Sequence, residues 1–207
     1  MDKFVRLVAK ACPLLLPNVD TDQILPARFL KLPRSPELGR VLLNDLRRDA
    51  EGNKRPDFPL NQPTWRDAQI LVAGRNFGGG SSREAAVYAL YEAGFRCVIA
   101  QSFGDIFAQN CIKNGLLPAA LAEADVAELG AAITAEPQTP VTVDLEQQTI
   151  ARGNRSFRFA IDPLSRNQLL NGWDDVDLTD SYRERVAAFR TAYRRERPWA
   201  LPPSDHP

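Results

Sequence analysis

Between Ala68 and Leu121 the sequence alternates apolar blocks with helix-period blocks, and few folds accept that order. AQILVAG (68–74), RCVIAQ (96–101) and LLPAAL (116–121) are short apolar runs that predict buried strands. SREAAVYALYEAGF (82–95) and SFGDIFAQNCIKNG (102–115) lie between them and predict helices. Ala85, Ala86, Ala89, Leu90 and Ala93 supply the apolar stripe of the first, and Gly94 its stop. In the second, Ser102 and Asp105 have capping-box spacing and Gly115 is the stop. Strand, helix, strand, helix, strand implies an α/β domain whose central sheet is mainly parallel, with right-handed crossovers.

The flanks are less regular. Residues 4–9 alternate and predict a strand. LLLPNVDTDQILPARFLK reads as a structured loop, with turn formers at Pro17-Asn18 and Asp20-Thr21-Asp22. Residues 31–66 are rich in Pro, Arg, Asp and Asn and form a long excursion, of the kind that is functional or disordered in compact domains. DVAELGAAIT predicts a helix, and 141–162 a strand pair turning near Gly153-Asn154. PLSRNQLLNGW and the amphipathic DSYRERVAAFRTAYRRE predict two more helices. Residues 1–200 read as one domain and 201–207 as a disordered tail.

Several function classes are disfavoured. Lys plus Arg and Asp plus Glu both number 26, so no basic balance calls for nucleic acid. Arg6 and Lys10 interrupt the N-terminal apolar stretch before a signal peptide could form, and no segment approaches membrane-spanning length. A cytoplasmic chain is expected. Cys12, Cys97 and Cys111 lack C-x-x-C spacing and read as buried apolar residues in a reducing compartment. The single histidine, His206, sits in the tail. No metal site is expected in this chain.

The chemistry concentrates in GRNFGGGSSREAA (74–86), which follows a strand and opens a helix. Free N–H groups at a helix start, the macrodipole and close backbone approach at glycine combine into an anion site. Arg83 adds a guanidinium fork suited to a carboxylate. Gly74-x-x-x-x-Gly79 lacks the lysine of a nucleotide phosphate loop, and Arg83 stands where a dinucleotide motif needs glycine. A small di- or tricarboxylate fits better. Ser81 admits two readings: a capping box with Glu84, or a base whose alkoxide the same donors would favour. A non-catalytic carboxylate-binding module and an enzyme both remain open on these residues.

Three segments, NVDTDQILPARFL, GRNFGGGSSREAA and SFGDIFAQNCIKNGLLP, occur in an order that resembles the small subunits of 3-isopropylmalate dehydratases. These are the swivel-type domain of the aconitase superfamily. The likeness runs over nearly the whole chain, and GSSRE with DTD-x-I upstream is its most specific part. It implies a swivelling β/β/α domain, active only with a large subunit carrying a [4Fe–4S] cluster, as heterodimer or heterotetramer, and no cofactor in this chain. It implies isomerisation of 2-isopropylmalate and 3-isopropylmalate by dehydration and rehydration, in leucine biosynthesis. Ser81 would be the base and Asp22 a second active-site group that orients partners. Gly80, Ser82 and Arg83 would bind substrate carboxylate. The loop from Arg28 to Leu38 would select the substrate, with Arg28 a substrate-binding residue and Leu30 and Leu32 meeting an isopropyl group. The family commonly carries Cys where this chain has Gly79 and His where it has Ala85. Those departures leave another 2-alkylmalate, of methylmalate or dimethylmalate type, as the alternative substrate.

Overall fold

The chain changes sheets within its first fourteen residues. In the computed structural model, which describes residues 1–200, β1 (Arg6–Ala9) belongs to an antiparallel sheet and β2 (Ala11–Leu14) to a parallel one, with Lys10 alone between them. The tail expected at 201–207, with His206, lies outside the described residues. β2, with Pro13 inside it, has no counterpart among the strands expected from the sequence. At the edge of a sheet a missing N–H is tolerated, and β2 is an edge strand, with Pro13 opposite Val72.

The excursion that follows is folded. After α1 (Thr21–Ile24) and a 3-10 turn at Ala27–Phe29, residues 31–66 run through α2 (Pro36–Arg40), α3 (Asn44–Arg47) and two 3-10 turns at Pro59–Asn61 and Pro63–Trp65. Leu38, Leu42 and Leu43 are buried. Leu43 N–H donates to Ile24 C=O at 2.8 Å, which ties α3 to α1. The composition is polar, yet its few leucines fall where they reach the core.

The crossover unit then follows the expected order: β3 (Ile70–Ala73), α4 (Glu84–Glu92), β4 (Cys97–Ala100), α5 (Asp105–Lys113) and β5 (Leu117–Ala120). The four parallel strands lie in the order β2-β3-β4-β5. Both faces of this sheet are covered, which explains why its strands read as unbroken apolar runs rather than alternating ones. Leu71, Ala73 and Val98 face a core shared with α4, α5 and the excursion, through Ala86, Val87, Leu90, Phe107 and Leu42. Ile70, Val72 and Ile99 face the other core. That second core is closed by α6 (Glu123–Ala135) and the antiparallel sheet, order β1-β6-β7-β8, with β6 Val141–Asp144, β7 Thr149–Arg152 and β8 Arg155–Arg158. This is the β/β/α layering expected of the swivel type.

Three local expectations need correction. The pair of strands at 141–162 is three strands, because a second turn follows β6. α7 (Pro163–Asn171) forms where a helix is expected and ends at Gly172, but α8 (Asp175–Asp180), capped by Asp174, comes before the C-terminal helix. α5 is not capped by Ser102. Gly104 precedes its first residue, and Ser102 Oγ instead accepts from Asn76 N–H at 2.9 Å. The amphipathic stripe of α9 (Arg183–Glu196) remains on the surface, with Val186 and Phe189 exposed.

Candidate functional site

The glycine-rich corner sits beyond the carboxyl end of β3, the end at which parallel α/β sheets bind ligands. It is stitched to the DTD segment by backbone bonds. Gly78 N–H donates to Val19 C=O at 2.7 Å, and Thr21 N–H to Gly79 C=O at 3.0 Å. The buried Thr21 hydroxyl donates to Ser81 C=O at 2.8 Å. Two of the glycines are required by geometry. Gly78 and Gly80 have φ of +71° and +87°, a region costly for residues with a Cβ. A Cβ on Gly78 would also lie 2.2 Å from the Phe107 ring.

Capping is done by residues other than those expected. α4 begins at Glu84 with Arg83 at its N-cap position and no side-chain cap, so the Ser81–Glu84 capping box does not form. The box is at α1. Asp20 Oδ1 accepts from Gln23 N–H at 2.7 Å, and Gln23 Oε1 from Asp20 N–H at 3.0 Å. The signal was present in the sequence, an Asp followed three residues later by Gln. Because Asp20 makes the cap, Asp22 is released from local bonding. Its carboxylate lies 2.5 Å from Arg83 Nη1. That nitrogen is buried and has no aligned hydrogen-bond acceptor. The approach is therefore off the N–H axis, and the pair is held by charge.

The corner is rich in unused donors. Among the described residues, no backbone N–H from Gly79 to Ala85 donates to a protein acceptor; Ala86 N–H is the first engaged, by Arg83 C=O. Gly80, Ser81 and Ser82 are exposed, and Arg83 is half-buried. Two hydroxyls, a fixed guanidinium and a row of open N–H groups are what a carboxylate needs on leaving water.

The other expected residues are placed differently. Arg28 turns to Asp45 on α3, an ion pair that holds the Asp45 carboxyl down at about 2. The Arg28 guanidinium also lies 4.6 Å from the centre of the Phe29 ring. Leu30 is exposed, while Leu32 packs half-buried against the core under α4. The structure thus brings Asp22, Gly80, Ser81, Ser82 and Arg83 to one corner, and engages Arg28 and Leu32 elsewhere. Thr21 and Phe107, which shape the corner, carried no sequence signal that marked them.

Among the described residues, no group of three or more His, Cys, Asp or Glu could hold a metal ion. Cys12, Cys97 and Cys111 are all buried. Burial pushes the Cys12 thiol up to about 12, against the lowering effect of Arg47, and pushes the Cys97 and Cys111 thiols up as well. No described helix is long and apolar enough to cross a membrane.

Residues 1–124 match the Aconitase C-terminal domain family and residues 127–163 the LeuD_N family. The chain is 52% identical over 202 residues to a 3-isopropylmalate dehydratase small subunit of Rhodospirillum centenum, covering 97% of this chain and 100% of that one. It is 46% identical over 200 residues to the protein of the same description from Dinoroseobacter shibae, covering 96% and 100%. A crystal structure of 3-isopropylmalate dehydratase from Methanocaldococcus jannaschii matches with a TM-score of 0.63 and 25% identity, over 89% of this chain and 99% of that one. The layered sheets and the serine corner belong to the swivel-domain class of the aconitase superfamily. Within that class, the chain belongs to the family of 3-isopropylmalate dehydratase small subunits.

Proposed function

We propose that the chain is the small subunit of a hydro-lyase that interconverts 2-isopropylmalate and 3-isopropylmalate, in leucine biosynthesis, with Ser81 as its base. The exposed Ser81-Ser82-Arg83 corner carries the proposal, because its donors are left unused by the fold. Arg83 and the Ser82 hydroxyl bind one substrate carboxylate, with Gly80 letting the backbone approach it. The open N–H groups and the guanidinium favour a negative charge on Ser81 Oγ. That oxygen takes the proton from the carbon beside the bound carboxylate. The hydroxyl leaves the neighbouring carbon as water, taking a proton from an acid on the large-subunit side of the site that regains it when water returns, and a double bond forms between the two carbons. Returning water to the other carbon, with the proton handed back by Ser81, gives the isomer. Asp22 keeps the Arg83 guanidinium aimed until substrate arrives.

The large subunit that the family name implies completes the site. A [4Fe–4S] cluster bound there would supply a Lewis acid for the departing hydroxyl. This chain's own donor set fits that division: its three thiols are buried and held protonated, so thiolate ligands come from the partner. Reconstitution with the large subunit tests the assignment. Ser81→Ala should assemble normally and lose turnover on 2-isopropylmalate. A Ser81→Ala pair with full turnover removes Ser81 as base. A panel of 2-alkylmalates on the wild-type pair settles the substrate, and carboxylate binding by the isolated chain without turnover of the pair would favour the non-catalytic module.

A further inference from the structure

Asn114, at the carboxyl end of α5, joins three elements around the corner. Its side chain is buried. Oδ1 accepts from Arg34 Nη1 at 3.0 Å. Nδ2 donates to Glu84 Oε1 at 2.9 Å and to Asn110 C=O at 2.9 Å. Only this orientation of the amide satisfies all three, because Arg34 has only donors and the other two only accept.

Each partner has a position that matters. Glu84 follows Arg83 directly and opens α4. Arg34 lies two residues beyond Leu32, in the loop that carries Leu30 and Leu32. The Arg34 guanidinium is laid along α4, 4.5 Å from the centre of the Tyr88 ring and 3.3 Å from Glu92 Oε1. The Tyr88 hydroxyl is pushed up from its usual range, first by burial and then by the Glu84 carboxylate. Arg34, Asn114, Glu84 and Tyr88 therefore form one connected polar network, in which losing a member leaves the others imperfectly paired.

We propose that Asn114 is a positioning residue that sets the loop carrying the exposed Leu30 against the serine corner, and so fixes where the substrate's alkyl group must lie. This rests on the reading of that corner as the carboxylate site. Asn114 touches no reacting atom. It acts by coupling the part that would sense the alkyl group to the part that binds the carboxylate, so its loss should relax selectivity before it slows chemistry.

The test uses the full chain reconstituted with its large subunit, with 2-isopropylmalate and 2-methylmalate compared. Asn114→Asp keeps an acceptor for Arg34 but sets oxygen against the Glu84 carboxylate. KM for 2-isopropylmalate should rise on the order of tenfold with kcat little changed, and the preference over 2-methylmalate should shrink by about the same factor. Adding Glu84→Gln to Asn114→Asp restores the pair at residue 84 with reversed polarity and leaves only the Asn110 C=O contact unmade, so both quantities should recover most of the way. Arg34→Gln breaks the other end at a partly exposed residue without touching the buried amide, and should give the same split. Unchanged KM and preference in both Asn114→Asp and Arg34→Gln overturns the proposal. So does a loss of kcat shared by both substrates that the double variant fails to restore. Ser81→Ala in the same preparation separates the two readings. If it keeps turnover, the corner assignment fails, while the Asn114 effect is still read from the two substrates.

Discussion

The Asp22 carboxylate lies 2.5 Å from the Arg83 guanidinium, with the buried Nη1 as its contact. The pair links the two segments that the family resemblance singles out. Asp22→Asn leaves that buried nitrogen without a counter-charge and the guanidinium less well aimed. A half-exposed ion pair of this kind is worth about 0.2–1 kcal/mol, so kcat/KM of the reconstituted enzyme should fall roughly 2- to 5-fold. Arg83→Lys should lose at least as much, because a point charge cannot replace the planar fork. Steady-state kinetics on the assembled pair decides this, and wild-type constants for Asp22→Asn would deny the pair a role.

Gly78 and Gly80 should differ in their tolerance of a methyl group. Around Gly80 the nearest atom to an added Cβ is Asp20 Cβ at 3.5 Å. Gly80→Ala therefore meets backbone strain alone, about 1–2 kcal/mol, and should fold. Gly78→Ala meets the same strain and also the Phe107 ring, so its loss in urea denaturation should exceed that of Gly80→Ala. Equal losses would mean that the Phe107 ring gives way freely.

The excursion should behave as part of the core. Leu42 is fully buried within it. Leu42→Ala should cost about 2–5 kcal/mol, the range for a truncated core leucine. A loss under about 1 kcal/mol, far below that range, would mean that the segment closes over the sheet without being fixed there.

The thiols predict both inertness and an alkaline limit. In the folded chain, the three cysteines should resist a thiol reagent at neutral pH and react only after unfolding. Cys12 rises from an ordinary value of 9.0 to about 12 in the folded state. Above pH 9.0 the unfolded chain then releases thiol protons that the folded chain keeps. The unfolded state holds fewer protons, so stability falls as pH rises. The slope is about 1.4 kcal/mol per pH unit for each thiol concerned. Urea midpoints between pH 8 and pH 11 measure it, and Cys97→Ala should flatten the fall even though it lowers stability at neutral pH.

The crossover order from β3 to β5, the stops at Gly94 and Gly115, the hairpin at Gly153-Asn154 and the composition of the corner are legible in the chain before it folds. Each is written locally, in apolar period, in glycine where the backbone turns left-handed, or in a cluster of donors. Which segment pairs with which is fixed in the folded chain alone. β2 is a strand because Ile70–Ala73 offers it an edge, despite Pro13. Ser81 is free of capping because α4 starts two residues later than the motif suggested, at Glu84. Asp22 meets Arg83 because Asp20 takes the cap and the Gly78–Gly79 backbone bonds to Val19 and Thr21. Such choices depend on contacts between segments far apart in the chain, and local pattern carries no record of them.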